Sequence, residues 1–188
     1  MEAFNAGTLA GAGSFHCDSC GFAVTLQERE EVPSCPECGS VRFKRASLFE
    51  RYAPREYVPD AEGAPEWLAA ARDALVKKGC YLAFEENGRV HVVPLQEGWT
   101  RVGRSLSAHV RFDDPTVSRR HALVYCDEDG GRVLDDRSLN GVILNGEQVE
   151  HASLEDGDEL AIGRYRLFFL SLAGDGESSS ARRQLAFS

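Results

Sequence analysis

The sequence has no apolar run approaching the ~18 residues that span a bilayer. Its start, MEAFNAGTLAGAG, lacks the basic residues and long apolar stretch of a secretory signal. A cytoplasmic location without a membrane role is the resulting expectation. No Walker phosphate loop, nucleophile elbow or His-Glu-x-x-His helix occurs, so the motifs that commonly mark enzymes are missing and catalysis is not expected. Basic residues are scarce beside acidic ones, 21 against 30 for a formal charge of −9. That balance opposes wholesale nucleic-acid binding while leaving room for a local basic patch. Beyond one duplicated Cys-x-x-Cys there is no internal repeat.

What is present argues for a globular chain of two unequal modules. The length of 188 residues suits one ordinary domain plus something small, and 43% apolar content with two Trp, ten Phe and five Tyr is enough for a packed core. From Phe15 to Phe49 short β-prone runs alternate with turns that hold the cysteine pairs. A segment this short buries too little to fold alone and needs a staple. Residues Arg51 to Gly63 carry two prolines and mixed charge without any period, as a linker does. Pro65 and Gly79 bracket EWLAAARDALVKK, with Trp67, Leu68, Ala71 and Leu75 on one face, which predicts a short amphipathic helix.

From Tyr81 onward short β-rich runs recur, separated by turn pairs such as Asn87-Gly88, Gly130-Gly131 and Asn145-Gly146. This is the pattern of an all-β sandwich or barrel. The run from His121 to Tyr125 is apolar at successive positions and predicts a strand buried on both faces. The expected order is a ribbon over 14–50, a linker with a short helix over 51–79, a sandwich over 80–172 and a disordered tail over 173–188.

Six cysteines are present, and four form Cys17-x-x-Cys20 and Cys35-x-x-Cys38, fourteen residues apart. Two residues between thiols let one tight turn aim both sulfurs at one ion, and Gly21 and Gly39 can take the positive φ that such a knuckle needs. Four thiolates close a tetrahedral shell, so the expectation is one structural Zn2+ rather than a catalytic one. His16 is adjacent to Cys17 and is not expected to join the set. Cys80 and Cys126 lie in apolar runs and read as core thiols. The segment resembles rubredoxin-like or zinc-ribbon modules. Arg42, Lys44, Arg45, Arg51 and Arg55, interleaved with Phe43 and Phe49, flank it; an alternative role as a nucleic-acid-associated regulator would use that flank.

The remaining motifs are Gly103-Arg104-Ser105, Ser118-Arg119-Arg120-His121, and Asp135 to Gly141, reading DDRSLNG. Each lies between β runs, and loops at one end of a sandwich converge. Arginine, serine and asparagine gathered there suit a phosphate monoester: arginine offers a planar fork of donors, while hydroxyl and backbone amides complete the oxygen shell.

In order and spacing these motifs resemble the forkhead-associated domain, over about Tyr81 to Leu170, and most closely bacterial forms with TVSRRHA and SLNG. The resemblance implies an eleven-stranded β-sandwich whose apical loops bind phosphothreonine without chemistry. It assigns Arg104 and Ser118 to the phosphate with Arg119 helping, and Leu139 and Asn140 to the phosphothreonine and peptide main chain. Ser138 either braces its loop or touches ligand. Gly103, His121 and Gly141 would hold loop shape. Thr116 and Val117 fall in a loop that the family uses to choose flanking residues, and Val142 replaces a frequent threonine. Arg120 is left outside the site, and Arg164, distant from the three motif loops in sequence, is expected to be surface-exposed. The implied role is a phosphothreonine-dependent adaptor for partners modified by a serine/threonine kinase. Only Thr8 lies near the start, without a Thr-Thr pair, so capture of a phosphorylated N-terminal segment is not indicated.

Overall fold

The computed structural model describes residues 3–46, 63–127 and 130–172. Linker residues 51–62 and the tail expected over 173–188 lie outside the described residues. Four strands build the ribbon sheet: β1 (Ala3–Asn5), β2 (Gly13–Cys17), β3 (Ala23–Leu26) and β4 (Arg42–Arg45), in the order β1-β4-β2-β3. The sheet thus begins upstream of residue 14. Phe15, Phe22, Val24, Leu26, Val32 and Phe43 fill a small core of its own. Strand β3 stands at the edge. Its pairing with β2 uses Val24 opposite Phe15, and its outer side is free to meet another part of the chain.

Helix α1 (Glu66–Asp73) starts after Pro65 and is shorter than EWLAAARDALVKK implied, ending with Ala74 as its C-cap. Gly79 instead opens a strand. Leu68 packs with Tyr81, Ala83, Phe168 and Leu170, and Trp67 meets the Phe168 ring edge-on at 5.7 Å. The helix therefore covers the outer face of a sheet.

The sandwich pairs a five-stranded with a six-stranded sheet, eleven strands among the described residues. One sheet joins β7 (Gly98–Gly103), β8 (Val110–Arg111), β9 (Ala122–Asp127), β10 (Gly130–Asp135) and β13 (His151–Leu154) in the order β13-β10-β9-β7-β8. The other joins β5 (Gly79–Glu86), β6 (Arg89–Pro94), β11 (Val142–Leu144), β12 (Glu147–Val149), β14 (Glu159–Ile162) and β15 (Tyr165–Leu172) in the order β12-β11-β14-β15-β5-β6. Asn87-Gly88 and Asn145-Gly146 join consecutive strands as expected, whereas Gly130-Gly131 lies inside β10. Leu82, Phe84, Val102, Phe112, Val124, Leu160 and Phe169 fill the core between the sheets. Burying each such side chain contributes ~1.5–3 kcal/mol.

Two expectations are corrected. Strand β9 alternates strictly, with Ala122, Val124 and Cys126 inside and Leu123 and Tyr125 only partly covered, because its outer face is open to solvent rather than roofed by a second layer. Cys80 and Cys126 are not separate thiols but a disulfide between β5 and β9. Each points inward from a different sheet, and their Cα atoms are 6.4 Å apart, within bonding reach.

Candidate functional site

Each Cys-x-x-Cys pair forms the same knuckle. The Gly21 amide donates to Cys17 O and the Gly39 amide to Cys35 O, both at 2.9 Å, with φ of 77° and 70° at the glycines. The four sulfurs lie within 4.8 Å of one another, with Cys17–Cys38 at 3.6 Å and Cys20–Cys35 at 3.5 Å. An ion with Zn–S bonds of ~2.3 Å sets tetrahedral edges of about 3.8 Å, so the donors fit a single metal site. Burial pushes the Cys20 and Cys35 thiols up. Burial also acts upward on Cys17, but hydrogen bonds from the Cys20 and Ser19 amides bring it to about 7. Crowded thiols of this kind become thiolates together once a cation sits among them. The His16 ring is turned away, with Nδ1 3.0 Å from Gly21 O.

The described cations of the ribbon's basic flank each have a partner within the ribbon, although Arg42 and Lys44 stay 62% and 40% exposed. Arg42 and Lys44 both pair with Asp18. Arg45 donates to Ala10 O and Ala12 O and lies over the Phe4 and Phe15 rings. Phe43 is fully buried. Phe49, Arg51 and Arg55 lie outside the described residues.

At the loop end of the sandwich, the three motifs converge as expected. Gly103 is obligatory because a Cβ there would stand 2.5 Å from Arg119 O. The close approach lets the Arg104 amide donate to Ser118 O at 2.9 Å and the Ser105 amide to Arg119 O at 3.0 Å. His121 is fully buried and ties two loops together. Its Nδ1 accepts the Ser118 amide at 3.1 Å, so Nε2 carries the proton and donates to Gly141 O at 3.1 Å. Burial holds its pKa below the usual histidine value. Asp135 accepts from the Ser138 amide at 2.7 Å and from its hydroxyl at 2.9 Å. Ser138 therefore braces its loop, and this supports a left-handed Arg137 at φ 61°.

Ser118 Oγ accepts the Leu139 amide at 3.1 Å, and Leu139 is about half exposed. Ser118, Arg119, Arg137 and Leu139 line an open cavity of about 330 Å³ together with Arg120, Asp136 and the ribbon's Ser14 and Thr25. Arg120 lines it while held in a fork on Asp136, with Nε 2.7 Å from Oδ2. Thr116 and Val117 are buried at 5% and 0% exposure, so they shape the loop from below and do not present a surface for flanking residues. Val142 is likewise in the core. Arg164 is exposed as expected, at 54%, yet it reaches these loops in space: its Nε pairs with Asp114 at 2.8 Å and its amide donates to Thr116 Oγ1 at 3.1 Å.

The ribbon lies directly on this site. Asn140 accepts the Ala23 amide at 2.8 Å and donates Nδ2 to Ala23 O at 2.9 Å, gripping both main-chain groups of one residue of β3. The Thr25 amide donates to Pro115 O at 2.8 Å. Arg104, only 6% exposed, donates Nη1 to Thr25 O at 2.5 Å and pairs through Nη2 with the Glu30 carboxylate. Arg104 Nε is buried and has no hydrogen-bond partner among the described residues; Asp113 Oδ1 stands 3.6 Å away. Ala23, Thr25 and Glu30 were not singled out from sequence. Nothing local marks them, since they meet Asn140 and Arg104 across 117 and 74 to 79 residues of chain.

The fold and loops define a β-sandwich module that grips an extended main chain beside a buried arginine. The FHA domain model matches residues 100–163, and a model described as a zinc-ribbon containing domain matches residues 1–47. A protein named oxoglutarate dehydrogenase inhibitor, from Corynebacterium efficiens, is 33% identical over 136 residues, covering 72% of this chain and 91% of its own length. The chain belongs to the FHA-domain family, with a zinc-ribbon module at its N-terminal side. The glycogen accumulation regulator GarA of Mycobacterium tuberculosis is 40% identical over 87 residues, 46% of this chain and 54% of that protein. This chain thus spans about half the length of GarA. A solved FHA domain studied for its phosphothreonine-dependent interactions is 29% identical, with a TM-score of 0.46, over 50% of this chain and 97% of that one.

Proposed function

We propose that the loop end of the sandwich binds phosphothreonine in partner proteins, making the chain an adaptor whose ligand is created by a serine/threonine kinase. Arg104 supplies the buried guanidinium for the phosphate, and Ser118 and Arg119 complete the anion site from the cavity wall. Asn140 clamps the peptide main chain, with the Leu139 amide and side chain beside it. Gly103, Asp135, Ser138, His121 and Gly141 hold these groups in place. The observation that carries this reading is Asn140, which holds both the N–H and the C=O of an extended-strand residue while Arg104 faces an anion a few residues further on. Main-chain capture of an extended segment plus an arginine for the anion is how phosphopeptides are recognised. Two named relatives are an inhibitor and a regulator, which supports control by binding rather than catalysis.

The ribbon holds one structural zinc through Cys17, Cys20, Cys35 and Cys38. Zinc suits four thiolates in a closed tetrahedron, which leaves no position for substrate. Capture from a degenerate peptide library tests the function. Phosphothreonine peptides should be enriched over phosphoserine and unmodified threonine counterparts, and equal recovery of phosphorylated and unmodified peptides would refute the reading.

A further inference from the structure

We infer that the ribbon is the resting occupant of the peptide groove: strand β3 and Glu30 close the site in cis, and a phosphothreonine peptide binds by displacing them. This rests on the phosphothreonine reading above. As an edge strand, β3 pairs with β2 on one side only, so Ala23 and Thr25 turn their main-chain groups outward. The sandwich takes all four: the Ala23 amide and carbonyl on Asn140, the Thr25 amide on Pro115 O and the Thr25 carbonyl on Arg104. These are the contacts an added peptide strand would make.

The anion is also supplied. Glu30 closes a turn in which its amide donates to Gln27 O at 3.1 Å and its Oε2 accepts the Gln27 amide at 2.7 Å. That turn aims Oε1 at Arg104 Nη2. The carboxylate nevertheless fills the site incompletely. Arg104 Nε is buried without a hydrogen bond among the described residues, and the wall formed by Ser118, Arg119 and Arg137 faces the open cavity instead of Glu30. A phosphate brings three oxygens and a charge near −2, enough to engage those groups as well. The incumbent is therefore weaker than the ligand it stands in for.

The ribbon can leave without dismantling the sandwich core, because among the described residues the two hydrophobic cores share none. Metal and peptide are then linked with opposite sign. The metal-loaded knuckles hold β3 in the shape that covers the groove, so stabilising the ribbon lowers phosphopeptide affinity, and peptide binding loosens the ribbon.

The test uses the full chain and a fluorescein-labelled degenerate pool of phosphothreonine peptides. Glu30→Lys places a like charge against Arg104 and should bind the pool about tenfold more tightly than the native chain, with Glu30→Gln in between. In the native chain the Thr25 amide should be slow to exchange hydrogen and become fast at saturating peptide. Unchanged affinity in both variants overturns the inference, and so does a Thr25 amide that stays protected at saturation. If the pool binds neither native chain nor variants, the phosphothreonine reading itself falls.

Discussion

Arg104→Ala should weaken binding of a phosphothreonine peptide by roughly ten- to a hundredfold, and the structure fixes why the loss is not larger. Arg104 is buried and makes two contacts to the ribbon, one to Thr25 O and one to Glu30. In the native chain those contacts must break before a phosphate can replace them. The net advantage of the phosphate is therefore about one additional charge-assisted hydrogen bond, the one open to Nε, together with its greater charge, or ~1.5–3 kcal/mol. At about 1.4 kcal/mol per tenfold, this is the stated range. Arg104→Lys should fall between, since an ammonium retains the charge but loses the planar fork of donors. Titration calorimetry reads the affinities. Arg132→Ala is the control, because that side chain is 58% exposed and pairs with Asp127 on the outer face of the five-stranded sheet. Arg104→Ala binding as tightly as Arg132→Ala would refute the reasoning. The sandwich of the Arg104→Ala variant should melt as the native one does, since the side-chain hydrogen bonds of Arg104 run to Thr25 and Glu30 of the ribbon.

Metal analysis should find one zinc per chain, and chelation should unfold β1 to β4 while the sandwich amide signals persist; joint collapse would show that the modules share a core. Replacing Cys80 and Cys126 together by Ala should lower the unfolding free energy of the sandwich by about 4 kcal/mol, from closure of a loop with 46-residue separation. A loss under ~1 kcal/mol in urea denaturation would argue against a formed bridge. Burial holds the His121 pKa below its usual value of ~6.5, so the unfolded chain takes up a proton that the folded chain refuses. Stability should therefore decline as pH falls from about 6.5 towards 5, and His121→Gln should flatten the decline; an equal pH slope in both would contradict this.

The parts of the molecule set by short-range chemistry were readable in the sequence. Two residues between cysteines and a glycine after each pair define a knuckle by themselves. The glycine at 103, the SxxH at 118–121 and the Asn-Gly at 140–141 carry loop geometry at fixed spacing. What could not be read depends on which distant surfaces meet. Cys80 and Cys126 sit in ordinary core strands, and only the facing of the two sheets makes them a disulfide. Thr116 and Val117 belong to a motif loop, yet the loop folds them inward. Arg164 lies beyond the motifs in sequence and returns to Asp114 through the turn before β15. Pro65 and Gly79 looked like helix ends, but residues 75–78 leave the helix before the strand begins. The docking of β3 on Asn140 and Arg104 had no local signal, because an edge strand and a turn glutamate are common features of any small ribbon.

The most direct measurement is a map of amide and arginine side-chain NMR shifts on titrating a phosphothreonine peptide into the full chain. The largest changes should fall on Arg104, Ser118, Arg119, Leu139 and Asn140 and on the displaced Ala23 and Thr25 amides, with the Arg104 Nε–H moving downfield as it gains an acceptor, and the unphosphorylated peptide should leave these signals in place. Shifts confined to other surfaces, such as the groove between Trp67 and Arg166, or equal shifts from both peptides, would contradict it.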